Sequence, residues 1–190
     1  MDKKGGLPRY IALSHPWGDH RKYRPFETRR SDYETYKTTG IKFDKLTRTF
    51  KHAVKASRAL GVEYLWIDSI CIIQGDDGDW ATEAGRMESV YSSAYCVLAA
   101  SRATSQHSGF LGTREDREFV RVPHTSGGSL YVCEFADNFT EDVLDSYHAS
   151  RGWVLQERAL ANRTVFFSKT QVYWECGEGI RCETMTKMHK

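Results

Sequence analysis

Apolar residues along the chain fall into short runs, each separated from the next by a helical stripe or a polar loop. Tyr10-Ile11-Ala12-Leu13-Ser14 is a compact apolar run after Pro8 and predicts a buried strand. Pro16, Gly18 and a basic stretch follow, with no strong periodicity until Asp44. Leu46, Phe50, Ala53, Val54 and Leu60 then recur at helical spacing, and Gly61 is placed to stop the helix. Val62-Glu63-Tyr64-Leu65-Trp66-Ile67, β-branched and aromatic, predicts a second buried strand that ends at Asp68. A helix running straight into a second buried strand is a β-α-β pattern, which calls for a parallel sheet.

The pattern repeats. Gly75-Asp76-Asp77-Gly78-Asp79 is a turn with Asp79 placed to cap a helix, and Met87, Val90, Tyr91 and Ala94 give one apolar face. Tyr95 to Ala100 predicts a third core strand, and residues 102–117 a loop. Two alternating segments, 118–122 and 130–135, flank Ser126-Gly127-Gly128 and predict a hairpin, carried by an insertion over about 102–149 at the edge of the sheet. A short helix from Trp153 to about Leu160 precedes two last strands, Arg163–Phe167 and Gln171–Trp174. There is no internal repeat. The fold class is α/β, a central parallel sheet with a β-hairpin insertion, and 190 residues are expected to form one domain over 1–190. Ligands in such sheets sit beyond the carboxyl ends of the strands, where Ser14 to Asp19, Asp68-Ser69 and Ser101-Arg102 supply polar groups.

Composition adds exclusions. With 40% hydrophobic and 27% charged residues the chain is neither disordered nor a coiled coil. No apolar run approaches the roughly 20 residues of a membrane helix. No signal-peptide stretch follows the basic start Met1 to Gly6, so the expected location is cytoplasmic. Net charge is +2, but residues 1–60 hold 15 Lys/Arg against 6 Asp/Glu while residues 61–100 hold 1 against 7. The densest basic segment, residues 21–30, can meet phosphates of nucleotide, lipid or nucleic acid, or can be a solvated loop facing the acidic middle; the second is favoured and nucleic acid is not expected as a partner. Five cysteines with no C-x-x-C pair fit reduced thiols, and with His189 the only soft ligand near Cys176 and Cys182, no metal is expected.

P-loop, dinucleotide-binding, nucleophile-elbow and metalloprotease signatures are absent. Ser14 and His15 are adjacent, and adjacent strand residues point to opposite faces, so they do not form a dyad. Asp68 ends an apolar run, where a carboxylate must be hydrogen-bonded or paired; a functional and a structural role are both open. The most informative segment is 150–160. On a helix Trp153, Gln156, Glu157 and Leu160 share a face, which makes Glu157 either a partly desolvated carboxylate beside an aromatic wall or an exposed partner of Arg158 or Arg163.

Tyr10 to Asp19, Tyr64 to Gln74, the stretch Asp79-Trp80 through Glu83, Met87, Tyr91 and Ala94, and Arg151-Gly152-Trp153-Val154-Leu155-Gln156-Glu157-Arg158 resemble, in order, the blocks of the HET (heterokaryon incompatibility) domain of filamentous fungi. His15-Pro16 departs from the family, which more often has an aromatic residue there. The resemblance implies fungal allorecognition, innate immunity and programmed cell death, and an effector domain that can sit beside a sensor in a longer protein, with self-association on activation. The family is distantly similar to TIR domains, flavodoxin-like folds of which some cleave NAD⁺. On the TIR pattern Glu157 falls on the catalytic glutamate and Ser14 on the end of the opening strand. The implied function is NAD⁺ nucleosidase, with NAD⁺ as substrate and no further cofactor. Glu157 is then the catalytic carboxylate, with Ser14, Trp17, Asp68, Arg151, Trp153 and Gln156 binding substrate. Nicotinamide leaves neutral and needs no general acid, so a single carboxylate suffices. Non-enzymatic signalling by homotypic assembly is the rival class, and nucleic-acid binding or cleavage through residues 21–30 is a third reading.

Overall fold

The computed structural model describes residues 8–114, 118–133, 137–183 and 187–188. Chain order runs β1 (Tyr10–Ser14), β2 (Thr28–Arg29), α1 (Arg30–Thr39), α2 (Arg48–Ala59), β3 (Tyr64–Ile67), α3 (Asp68–Cys71), β4 (Ile73–Gln74), α4 (Trp80–Ala84), α5 (Met87–Ser93) and β5 (Cys96–Ala99). Then come β6 (Phe119–Pro123), β7 (Ser129–Cys133), α6 (Gly152–Leu160), β8 (Arg163–Phe167), β9 (Val172–Cys176), β10 (Gly179–Cys182) and β11 (Lys187–Met188). The expected helices and core strands up to β9 are present.

The central sheet has the order β11-β10-β9-β8-β5-β1-β3. β3, β1, β5 and β8 are mutually parallel, and β9, β10 and β11 extend the sheet antiparallel beyond β8. In chain order the parallel strands stand 2-1-3-4, the arrangement of flavodoxin-like sheets, whose ligand crevice opens where the order reverses. The parallel centre is buried on both faces, as its unbroken apolar runs require. Ile11 and Leu13 point to one face and pack with Phe50 and Ala53 of α2, Ile67 and Leu98. Ala12 points to the other and packs with Tyr91, Ala94 and Val97, with Leu160 of α6 against them. Helices therefore cover both faces, α2 on one and α5 and α6 on the other. Gly61, with φ near +67°, lies just past the end of α2, and its N–H reaches the Arg58 carbonyl.

Four expectations are corrected. The stretch before Asp44 is not featureless: α1 lies within it, and no residue of α1 is buried, so no apolar stripe announces it. The helix expected after Asp79 is two, α4 and α5, parted at Gly85. Asp79 stands at the N-cap of α4, but its carboxylate turns back to accept the Ile73 N–H at 2.7 Å. The hairpin is present, but β6 and β7 form a separate two-stranded sheet and pair with each other rather than with an edge of the central one; Glu134 and Phe135 lie outside the described residues. The loop after β5 is anchored in the core: Phe110 and Ala103 are buried, and His52 Nδ1 accepts the N–H groups of Phe110 and Leu111 at 2.9 and 2.8 Å. Among the described residues no helix is long and apolar enough to cross a membrane.

Phe50 has no solvent exposure, whereas Val132 is 57% exposed on the detached hairpin. Phe50→Ala is expected to lose about 3–5 kcal/mol of unfolding free energy, and Val132→Thr to stay within about 0.5 kcal/mol of wild type. Urea midpoints of the two variants check both; a comparable loss from Val132→Thr would show the hairpin to be packed.

Candidate functional site

The site is assembled at the carboxyl ends of β1 and β3. Alternation along β1 puts Ser14 on the α5/α6 side with Ala12, while His15 turns to the α2 side and meets Phe50 edge-on, ring centroids 5.0 Å apart. Ser14 and His15 are indeed on opposite faces, and they share no hydrogen bond. The Ser14 hydroxyl instead donates a hydrogen bond to Glu157 Oε2, and the Ser14 oxygen lies 2.8 Å from Nε2 of His148. Both partners arrive from far along the chain, His148 from the turns that lead into α6 and Glu157 from α6 itself. Arg151, just before that helix, donates from Nη1 to the His15 carbonyl at 2.6 Å and fastens the start of α6 to the end of β1.

Glu157 is 8% exposed. Burial pushes its carboxyl up to about 7, against the pull of the Ser14 hydrogen bond; Asp68 pushes the same way, and Arg151 and a hydrogen bond with the Tyr91 hydroxyl oppose it. His148 moves in the other sense. Burial and the nearby Arg151 and His15 depress its imidazole to about 3, so the ring is neutral at physiological pH. Of the two environments offered for Glu157 the structure takes the buried one, and Arg158 pairs with Glu175 at 2.7 Å instead.

Asp68 serves two ends. Its carboxylate accepts the Trp17 indole N–H at 2.8 Å and the Ser69 N–H at 2.7 Å, and His15 Nδ1 lies 3.6 Å away. It thereby holds the Trp17 loop while facing an open cleft of about 140 Å³, lined by Trp17, Asp68, Arg151, Trp153 and Glu157 together with Ile72, Gln74, Trp80 and Met87. Five of the seven expected site residues meet there, and Ser14 lies behind Glu157, hydrogen-bonded to it. Gln156 does not join them. Val154 and Glu157 are the buried residues of α6, and Gln156 is exposed on the other side of the helix. A volume this far below the roughly 300–1,000 Å³ of pockets for whole drug-sized ligands fits a ring and its immediate attachment.

Four participants escaped the sequence reading in this role. Tyr91 is legible as a core residue of α5, but the reach of its hydroxyl to Glu157 is not. His148 sits in a polar stretch without periodicity and carries no signal. Gln74 and Trp80 flank the glycine-rich turn, and half-exposed Trp80 stands on a helix of only five residues. No residue of the basic segment 21–30 lines the cleft: Arg29 pairs with Glu27, and Arg30 donates to the Asp77 carbonyl at 3.0 Å. Among the described residues no group of three or more His, Cys, Asp or Glu side chains could hold a metal ion, and His189 lies outside them.

A family model described as Heterokaryon incompatibility protein (HET) matches residues 10–157, from the first residue of β1 to the buried glutamate. The chain belongs to the HET family. That membership connects it to fungal heterokaryon incompatibility and its cell-death response. Comparisons of this HET domain with curated proteins and with solved structures gave no match.

A carboxyl that titrates near 4.5 when free and near 7 when folded stabilises the folded state fully below pH 4.5 and loses that contribution as pH rises through 7. The loss amounts to about 3 kcal/mol. Glu157→Gln, which cannot ionise, is expected to be more stable than wild type at pH 8 by a margin of that order and to lose the advantage at pH 4.5. Urea titrations at the two pH values check it, and a margin independent of pH would refute the burial-driven shift.

Proposed function

We propose that this HET domain is a cytoplasmic cell-death effector that hydrolyses NAD⁺ at the nicotinamide N-glycosidic bond, with Glu157 as the catalytic carboxylate. The observation that supports this most directly is a buried carboxylate at the base of a small cleft walled by tryptophans. A planar ring can stack on Trp17, Trp80 or Trp153, the last two half-exposed at 50% and 54%. Arg151, partly exposed at the cleft, offers charge for a phosphate. As the C1′–N bond breaks, its electron pair stays on nicotinamide, which leaves neutral. Positive charge then develops on the ribose, and an ionised Glu157 stabilises it in a site with little water. Water adds to C1′ and gives up its proton to Glu157, leaving ADP-ribose. Ser14 is not the nucleophile here, because it is buried behind Glu157 and does not line the cleft.

The rival reading, signalling by self-association without chemistry, is favoured by one feature. Val120 faces Val132 and Val122 faces Leu130 across the hairpin, an aliphatic face whose members are 40–66% exposed. Light scattering recorded beside the assay separates the two: assembly and toxicity with NAD⁺ intact would favour the rival.

Chromatography of NAD⁺ incubated with pure protein tests the enzyme. Glu157→Gln is expected to lower kcat by about 10²-fold or more, and equal turnover by both proteins would remove Glu157 from the mechanism. Because the reacting form is the carboxylate, kcat/KM of the wild type is expected to rise with pH and level off above about 7. Trp80→Ala is expected to raise KM more than it lowers kcat, since stacking holds the ring before and during cleavage.

A further inference from the structure

Three polar side chains meet behind the cleft in an unusual order. Ser14, His148 and Glu157 are 3%, 2% and 8% exposed, and the serine oxygen stands between the carboxylate and Nε2 of the imidazole. In a hydrolytic triad the imidazole is central and activates the hydroxyl. Here the hydroxyl is central, so it couples the two titratable groups to each other.

We propose that Glu157, Ser14 and His148 form one proton-sharing chain in which His148, acting through Ser14 Oγ, is the positioning residue that keeps Glu157 hydrogen-bonded in both of its protonation states. The functional meaning rests on the reading of Glu157 as catalytic carboxylate, while the geometry does not. Ser14 has one proton to give. When Glu157 is ionised, that proton goes to Oε2, and the serine oxygen takes the Nε2–H of His148. When Glu157 is protonated, its O–H donates to Ser14, whose own proton turns to His148. Nε2 must then be bare, with the ring proton on Nδ1. Glu157 gains one proton, Ser14 and His148 gain none, and the ring stays neutral throughout. An imidazole manages this by exchanging tautomers, whereas a hydrocarbon at the same place would leave the serine with a buried, unmet group.

The surrounding charges favour this arrangement over an imidazolium. Arg151 and His15 face His148 and disfavour a second ring proton, as does its burial. Asp68 faces Glu157 from the end of β3, and Tyr91 bonds it from α5. In the proposed reaction Glu157 is a carboxylate while the glycosidic bond breaks and an acid once water has delivered its proton. The chain reverses direction at that moment, and Glu157, Ser14 Oγ and Nε2 of His148 stay hydrogen-bonded to one another.

Nitrogen NMR of the histidine side chains in the whole, substrate-free chain tests the inference. Below the Glu157 midpoint near pH 7, His148 is expected as the Nδ1–H tautomer, and above it as the Nε2–H tautomer. No imidazolium signal from His148 should appear between pH 5 and 9. One tautomer across that range, or titration to imidazolium near the ordinary histidine value, would overturn the proposal. Ser14→Ala is expected to abolish the tautomer change, and its survival in that variant would also overturn it. In carboxyl carbon NMR, His148→Gln, whose amide can rotate to donate or accept, is expected to keep the Glu157 midpoint near the wild-type value. His148→Leu is expected to move it; an unmoved midpoint would count against the coupling. The readings stay separable: a tautomer change without NAD⁺ turnover refutes the reaction alone, and turnover without a tautomer change refutes the chain alone.

Discussion

The hydrogen bond from Ser14 to Glu157 joins residues 143 apart and holds α6 against the end of β1. Its position follows from strand geometry. A side chain that ends a parallel strand, on the face away from α2, must project into the space between α5 and α6. Only a small polar group fits that exit without either filling it or leaving an opposing carboxylate unsolvated. Arg151, bonded to the very next carbonyl of the chain, makes the same junction from the backbone side. With both ties made, Glu157 sits at the base of the cleft rather than in solvent, and the cleft is the space left between α6, α4 and the loop that carries Trp17.

Asp68 plays the corresponding part on the neighbouring strand. It holds the Trp17 indole and the Ser69 amide within α3, and so sets the wall opposite Glu157. Two carboxylates facing one cleft repel each other, and Asp68 adds to the upward push on Glu157. The difference between them is burial. Asp68 is partly exposed and satisfied by N–H donors, whereas Glu157 is closed in by helix and sheet and receives only hydroxyls.

The parallel centre of the sheet was legible because its strands are continuous apolar runs and α2 carries a clean stripe. Legibility failed where burial does not decide the structure. α1 buries nothing, so its polar sequence resembles a loop, and the antiparallel strands β10 and β11 are too short and mixed to stand out. In the site, Glu157, Asp68 and Ser14 could be suspected because each is polar at the border of an apolar element. His148 could not, because its neighbours are turns. Gln156 was expected on the inner face because it is three residues from Trp153, but the buried side of α6 is set by Val154 and Glu157. Trp153 is at the rim of that face, so counting from it rotates the expected face outward.

Burying Glu157 and His148 together has opposite consequences for stability. The neutral imidazole, depressed to about 3, makes the fold lose stability as pH falls below the ordinary histidine value of 6.5, because the unfolded chain takes up a proton that the folded one refuses. The carboxyl, raised to about 7 from 4.5, makes it lose stability as pH rises through that interval, because the folded chain holds a proton that the unfolded one has given up. Over the shared interval from 4.5 to 6.5 the two slopes cancel, since one proton is withheld from the folded state and one is retained by it. A buried acid beside a buried base therefore leaves the stability curve level between pH 4.5 and 6.5, where either alone would tilt it. That balance is available only while the two groups stay neutral in the same range, and a hydroxyl placed between them lets both be hydrogen-bonded without transferring charge. Ser14 is thus constrained twice, by the geometry of the strand end and by the need for a group that can donate in one direction and accept from the other.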